Sequence, residues 1–167
     1  TIQRLQEDGV MDMQKALEMA TLPRRIAVIS AADAAGYGDF CHQLESNNGG
    51  FLFHTRLFPA IMQGEQSPMS IINALETIAA SAEDFDVVVI VRGGGATTDL
   101  RNFDDYSLAF HCANFPLPII AGIGHTRDVS IVDMVAHTSV KTPTAAAEWL
   151  INCMQMQADK IGEWYMR

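Results

Sequence analysis

The chain has 167 residues, 49% of them hydrophobic and 19% charged, which excludes a disordered chain and supplies one ordinary domain's worth of core. No apolar run reaches the roughly eighteen residues of a membrane-spanning helix, and the polar start TIQRLQEDG carries no signal-peptide pattern. A net charge of −9 argues against tight DNA binding by this stretch alone, since such affinity rests on basic patches that displace counterions from phosphates.

Residues 3–20 loosely alternate charged and apolar positions around Gly9 and read as a short helix or two ahead of the core. After Pro23, the run Arg24–Ile29 reads as a buried parallel strand that opens into the small residues Ser30–Gly36. A helix over 37–47 is stopped by Asn47-Asn48-Gly49-Gly50. A second strand is expected over Phe51–Phe58. Ser67-Pro68 then opens a helix to about Ala80, with Pro68 at the first helical position, where its missing N–H is harmless.

The third strand, Asp86–Val91, is β-branched throughout and runs into Arg92-Gly93-Gly94-Gly95. A helix over 104–114 follows, then a fourth strand over Pro118–Gly122, a short helix over 128–137, and a long helix from Pro143 to about Tyr165 capped by Thr142. Strands alternating with helices predict an α/β fold: a three-layer, mostly parallel sheet of about four strands with helices on both faces, Rossmann-like or doubly wound. In such sheets ligands bind beyond the carboxyl ends of the strands. Segments 30–39, 92–99 and 122–128 each follow a predicted strand, which points to one shared site.

Within that site, three consecutive glycines, Gly93, Gly94 and Gly95, leave backbone N–H groups unshielded, so the loop can wrap a phosphate. Arg92 adds a planar fork suited to two phosphate oxygens. A tight turn is the plain alternative. No Lys-Ser/Thr follows and the spacing is not G-x-G-x-x-G, so a dinucleotide or nucleoside triphosphate site is disfavoured. In Gly122-Ile123-Gly124-His125-Thr126-Arg127-Asp128 the glycines would let the chain turn sharply off the strand. His125 and Asp128, three residues apart, would share a side of one helical turn. A His oriented by a carboxylate is a general acid or base near neutral pH; alternatively, Asp128 caps a helix and His125 fills a loop. Asp39 is a third carboxylate at the same mouth, a first-turn helix acid, or plain surface.

The remaining His42, His54, His111 and His137 lack usable partner spacing. The nine methionines and the Trp149/Trp164 pair read as packing. Cys41, Cys112 and Cys153 form no CxxC pair and read as thiols of a reducing cytoplasm. The chain starts without Met and reads as a piece of a longer protein.

At these residues the sequence resembles the large subunit of exonuclease VII. The resemblance runs in order from Pro23–Ser30 through Leu57-Phe58-Pro59, Met62-Gln63-Gly64, Val91–Gly95, Asp99-Leu100, Phe103, and Gly124-His125-x-x-Asp128 to Lys141–Glu148. It implies a lead-in helix over 1–22, a catalytic α/β domain over 23–150, and the start of a C-terminal helical region over 151–167. It implies further a nuclease that degrades single-stranded DNA from either end into short oligonucleotides, with no required cofactor. Mg²⁺ is a conceivable but inessential addition, held by an Asp/His/Asp cluster. The implied partners are single-stranded DNA and several copies of a small subunit.

The family's important residues carry over as Asp39, Arg92, His125 and Asp128, with Gly93–Gly95 on the phosphate and Asp99 and Gly124 in secondary places. Departures from the family pattern stand at Ala96, Thr98, Arg101 and Thr126. A different class of function stays open on the residues alone: a non-catalytic module that holds a phosphorylated ligand in the Gly93–Gly95 loop.

Overall fold

A computed structural model describes residues 2–31, 35–92, 100–123 and 130–165. Its elements in chain order are α1 (Ile2–Glu7), β1 (Arg25–Ser30), α2 (Ala35–Glu45), β2 (His54–Pro59), α3 (Ser67–Ala79), β3 (Val87–Val91), α4 (Tyr106–Ala113), β4 (Ile119–Gly122), α5 (Ile131–Val135), β5 (Thr138–Ser139) and α6 (Pro143–Tyr165). Among the described residues, no helix is long and apolar enough to cross a membrane.

The strands form one all-parallel sheet in the order β2-β1-β3-β4-β5. Side-chain alternation along each strand sorts the core into two layers. Ala27, Ile29, Val88, Ile90, Ile119 and Ala121 pack under α3, α4 and α5. Ile26, Val28, Val87, Val89, Val91 and Ile120 pack under Phe40 and Leu44 of α2 and Ala146, Ala147 and Leu150 of α6. Every residue of β3 is buried, as a run apolar on both faces requires when helices cover both sides. The three-layer α/β expectation therefore holds.

The sheet has five strands rather than about four. β5 is two residues long and half exposed, too short to give a β pattern in the sequence. β2 begins at His54, not Phe51, because Asn47 claims the backbone of Phe51: its Oδ1 accepts the Phe51 N–H (2.8 Å) and its Nδ2 donates to the Phe51 carbonyl (2.9 Å). The turn before it uses Gly50 at φ +69°, a conformation that favours glycine. Ser67 is already helical and donates its hydroxyl to Gly64 O (2.8 Å), so Pro68 is the second helical residue and not the first. Thr142 caps α6 as expected, its Oγ1 accepting from Ala145 N (3.0 Å). The expected helix over 128–137 shortens to Ile131–Val135, and the one over 104–114 to Tyr106–Ala113, preceded by a tight 3₁₀ turn at Leu100–Asp104.

The lead-in is more than a helix placed ahead of the core. Leu5 and Val10 lie in the α3/α4 layer. The fully buried Gln14 donates to Phe115 O and Leu117 O (3.0 Å each) and accepts from Ile119 N (2.8 Å), so residues before Pro23 fix where β4 begins. Arg4 also sits over the Tyr106 ring, 3.8 Å from its centroid.

At the amino edge of the sheet, Asp86 accepts from Arg24 N (3.2 Å), Arg25 N (3.0 Å) and the Arg25 guanidinium (2.9 Å). Partial burial alone would raise its pKa, but the hydrogen bonds and charge of Arg25 outweigh it and hold the carboxyl below its usual range. A depressed folded pKa gives stability that is present above the unfolded value and lost as pH falls through the folded one. Asp86→Asn should thus lower stability at neutral pH by about 1 kcal/mol, discounting the half-exposed Arg25 end. Urea melts should show that gap closing as the pH drops below about 4; a gap unchanged at acid pH would contradict this reading.

Candidate active site at the strand ends

The chain leaves β1 to build β2 on one side and then returns to build β3 on the other. The switch point therefore lies between β1 and β3, and crevices at such points are where open α/β sheets bind ligands. The three segments singled out in the sequence leave from β1, β3 and β4, which are adjacent: Ile29 pairs with Ile90, and Val91 with Gly122.

Arg92 is the first residue beyond β3. Its N–H donates to Gly122 O (3.1 Å), which holds it at the carboxyl edge beside the end of β4. The side chain is half-buried, with Nε buried and unpartnered among the described residues. Asp39 lies in the second turn of α2, the helix that follows β1, next to the fully buried Phe40. Its own side chain is exposed, so the structure puts it on the surface about 6 Å along α2 from the helix start. Gly93, Gly94, Gly95, Asp99, Gly124, His125 and Asp128 lie outside the described residues.

What is described is how the two chemistry-bearing segments are anchored at their far ends. The segment after Arg92 runs into the 3₁₀ turn, whose Phe103 is buried and whose Asp104 Oδ1 accepts from Ile131 N (2.9 Å). The segment after Ile123 runs into Ser130, the cap of α5. Ser130 Oγ accepts from Asp133 N (3.2 Å), while Asp133 Oδ2 accepts from Ser130 N (3.1 Å) and Ser130 Oγ (2.8 Å). Asp133 Oδ1 also accepts from Ser139 Oγ (2.8 Å), tying in β5. The two segments thus leave neighbouring strand ends and return to residues hydrogen-bonded to each other.

Asp133 is buried, so Asp133→Ala removes a capping box and leaves Ser139 without this acceptor. The expected loss is about 2 kcal/mol, read from a denaturant midpoint. A change below about 0.5 kcal/mol would mean that the anchor is dispensable.

Gly122 departs from the sequence expectation. It is not among the described glycines of positive φ, which are Gly9, Gly50 and Gly64. What it provides at the strand end is room: a Cβ there would stand 3.2 Å from Thr142 O and 3.3 Å from Val91 Cγ1. The missing side chain lets the segment leading into α6 close over β4.

The histidines and cysteines that the sequence set aside have their described contacts elsewhere. His42 and His54 are exposed. His111 lies on α4, its Nε2 3.9 Å from Glu76. His137 meets Trp149 edge-on at 6.5 Å, and burial is the main cause of its lowered pKa. The Cys112 thiol is pushed up to about 12 by burial, an inert core group; Cys41 and Cys153 are half-buried. The described residues contain no cluster of three His, Cys, Asp or Glu able to hold a metal. Two concavities, one beside Cys41, Phe51 and Thr55 and one between α3 and α4 beside Leu75 and Phe110, lie away from Arg92.

Sequence reasoning did not single out Asp104 or Asp133. The Ser130-x-x-Asp133 spacing is a capping-box signal that could have located the anchor.

A sequence model of the family described as exonuclease VII, large subunit, matches residues 10–167. Similar proteins named exodeoxyribonuclease 7 large subunit come from a Nostoc species (38% identical over 148 residues, 89% of this chain and 35% of the relative), Acaryochloris marina (34% over 157 residues; 94% and 37%) and Tolumonas auensis (32% over 164 residues; 98% and 36%). The chain thus spans about a third of the length of these relatives. With the family match covering nearly all of its residues, the chain belongs to the exonuclease VII large-subunit family.

Proposed function

We propose that this chain is the part of an exonuclease VII large subunit that hydrolyses phosphodiester bonds of single-stranded DNA from its ends, releasing short oligonucleotides. The observation that carries the reading is the convergence at one carboxyl edge. Arg92 is fixed beside the end of β4, and the segments bearing Gly93–Gly95 and His125–Asp128 close on the Asp104–Ile131 hydrogen bond. The relatives' name, exodeoxyribonuclease 7 large subunit, supports the same chemistry.

In this scheme Arg92 and the amides of Gly93, Gly94 and Gly95 stabilise the charge that grows on the phosphoryl oxygens. Asp99 and Gly124 shape the loops around them. His125, oriented by Asp128, takes the proton of the attacking water or gives one to the leaving oxygen. Asp39 positions the water or serves the opposite proton transfer. No step requires a divalent metal. Mg²⁺, if used, would be held by the Asp39, His125 and Asp128 side chains as a hard cation on mainly oxygen ligands.

In this reading most of the grip on DNA comes from other parts of the large subunit and from several copies of the small subunit, recruited in the cytoplasm by the C-terminal helical region; the net charge of −9 supports it. The test is an assay of the full large subunit co-expressed with its small partner, on end-labelled single- and double-stranded DNA. Short products from the single strand alone, undiminished in excess chelator, are expected. Tight binding of a phosphate ester with no cleavage of any oligonucleotide would replace this reading with a phospholigand-binding module. Loss of cleavage in chelator would make the metal part of the site.

A further inference from the structure

Arg56 lies in the middle of β2, the outermost strand on one side of the sheet, and its side chain is exposed. The register sets Arg56 beside Ala27, and Ala27 beside Val88. Ala27 and Val88 pack in the layer under α3, α4 and α5, so Arg56 stands at the open edge of that face. Alternation along β3, from Val88 through Ile90, brings Arg92 to the same face. The Arg56 guanidinium leans toward the carboxyl edge, because its Cζ sits over the Phe58 ring, 5.1 Å from the centroid. Phe58 is in turn set edge-on against Phe85, at 5.6 Å and 76°. Level with Phe58 in the register are Ile29 and Ile90. Two strand spacings across and two residues of rise from there, the backbone of Arg92 is about 12 Å from this guanidinium.

Two features suit Arg56 to a phosphate. A guanidinium stacked on an aromatic ring is held in orientation while its N–H edge stays open to solvent. Among the described residues no carboxylate pairs with it, although the chain has 20 Asp and Glu against 11 Lys and Arg; Arg25, by contrast, is bound to Asp86. Guarding an edge strand or covering Phe58 would use the same residue, but neither would depend on the charge of the substrate.

We propose that Arg56 is a second phosphate-binding residue, holding the backbone of the single strand a few nucleotides from the linkage cleaved at Arg92. The inference rests on the reading of the carboxyl edge as the cleavage site. Arg56 adds grip without chemistry, so its effect falls on binding and not on turnover.

The test uses the complete large- and small-subunit complex and end-labelled single strands that carry one neutral methylphosphonate linkage, moved along the strand position by position. Arg56→Met keeps an unbranched apolar stem over Phe58 and removes the charge; Arg56→Lys keeps the charge. On an unmodified strand Arg56→Met should raise KM about fivefold with kcat unchanged, and Arg56→Lys should recover most of that loss. With the unsubstituted protein, a neutral linkage at one position near the cleaved bond should bring a similar rise in KM. Arg56→Met should show no penalty at that position.

A KM unmoved by Arg56→Met, a positional penalty that persists in Arg56→Met, or a loss confined to kcat with a lowered melting temperature would each overturn the proposal. A wild-type rate from Arg92→Ala is a separate failure, visible without any Arg56 variant: it would take the cleavage site away from this edge.

Discussion

Arg92→Ala is expected to lower single-strand cleavage by about 10²–10³-fold, the usual effect of removing one aligned donor from a site that stabilises transition-state charge. On the proposed role of Arg92 the loss should fall on turnover, because a guanidinium that stabilises phosphoryl charge acts mainly in the transition state. Stability should move by less than about 1 kcal/mol, because the substitution removes a buried Nε that has no partner among the described residues and keeps the backbone bond to Gly122 O. Initial rates on an end-labelled single strand, paired with thermal melts of the same preparations, separate the two effects. A wild-type rate would take Arg92 out of the chemistry. A collapsed melting curve would make it a structural residue.

Gln14→Ala carries the largest expected cost in stability, about 3 kcal/mol. Three backbone groups depend on this one side chain: the carbonyls of Phe115 and Leu117 and the N–H of Ile119. The site is fully buried, so truncation strands all three, at roughly 1 kcal/mol or more each. Because Ile119 is the first residue of β4, its amide should also lose protection from hydrogen exchange. A urea midpoint shift worth under about 1 kcal/mol, with the Ile119 amide still protected, would show that the lead-in does not fix the start of this strand.

The parts of the fold that the sequence made legible are those where one local pattern decides. Val87–Val91 could only be a strand buried on both faces, and Thr142-Pro143 could only begin a helix. The parts that were not legible depend on distant partners. Gln14 reads as one more polar residue in an amphipathic segment, since its partners lie more than 100 positions away. β5 exists because Val140 N donates to Ala121 O (2.8 Å) beside β4, not because Thr138-Ser139 favours a strand.

The site divides in the same way. The glycines and charges after each predicted strand point to the carboxyl edge, and Arg92 does lie there beside the end of β4. The Asp104–Ile131 bond, 27 positions apart in sequence, needed the fold to be seen. Gly122 reads in the sequence as a glycine for a turn, whereas the structure shows a tight approach of Thr142 O there, 3.2 Å from where a Cβ would stand.

The acidic character sharpens the functional reading. A net charge of −9 repels phosphates from the domain as a whole, so on the proposed reading Arg92 at the carboxyl edge has to work against that field. Binding by the full assembly should therefore weaken steeply as salt rises, through basic groups outside this chain. Once DNA is bound, the chemical step should depend on this edge.

The most direct test of that claim is to map where the reacting end of the DNA lies. A single strand with 5-iodouracil at its terminal nucleotide, photo-crosslinked to the complete complex, should label the peptides containing Arg92 and residues 122–128. Labelling confined to other regions of the subunit, with those peptides untouched while the strand is still cleaved, would contradict it.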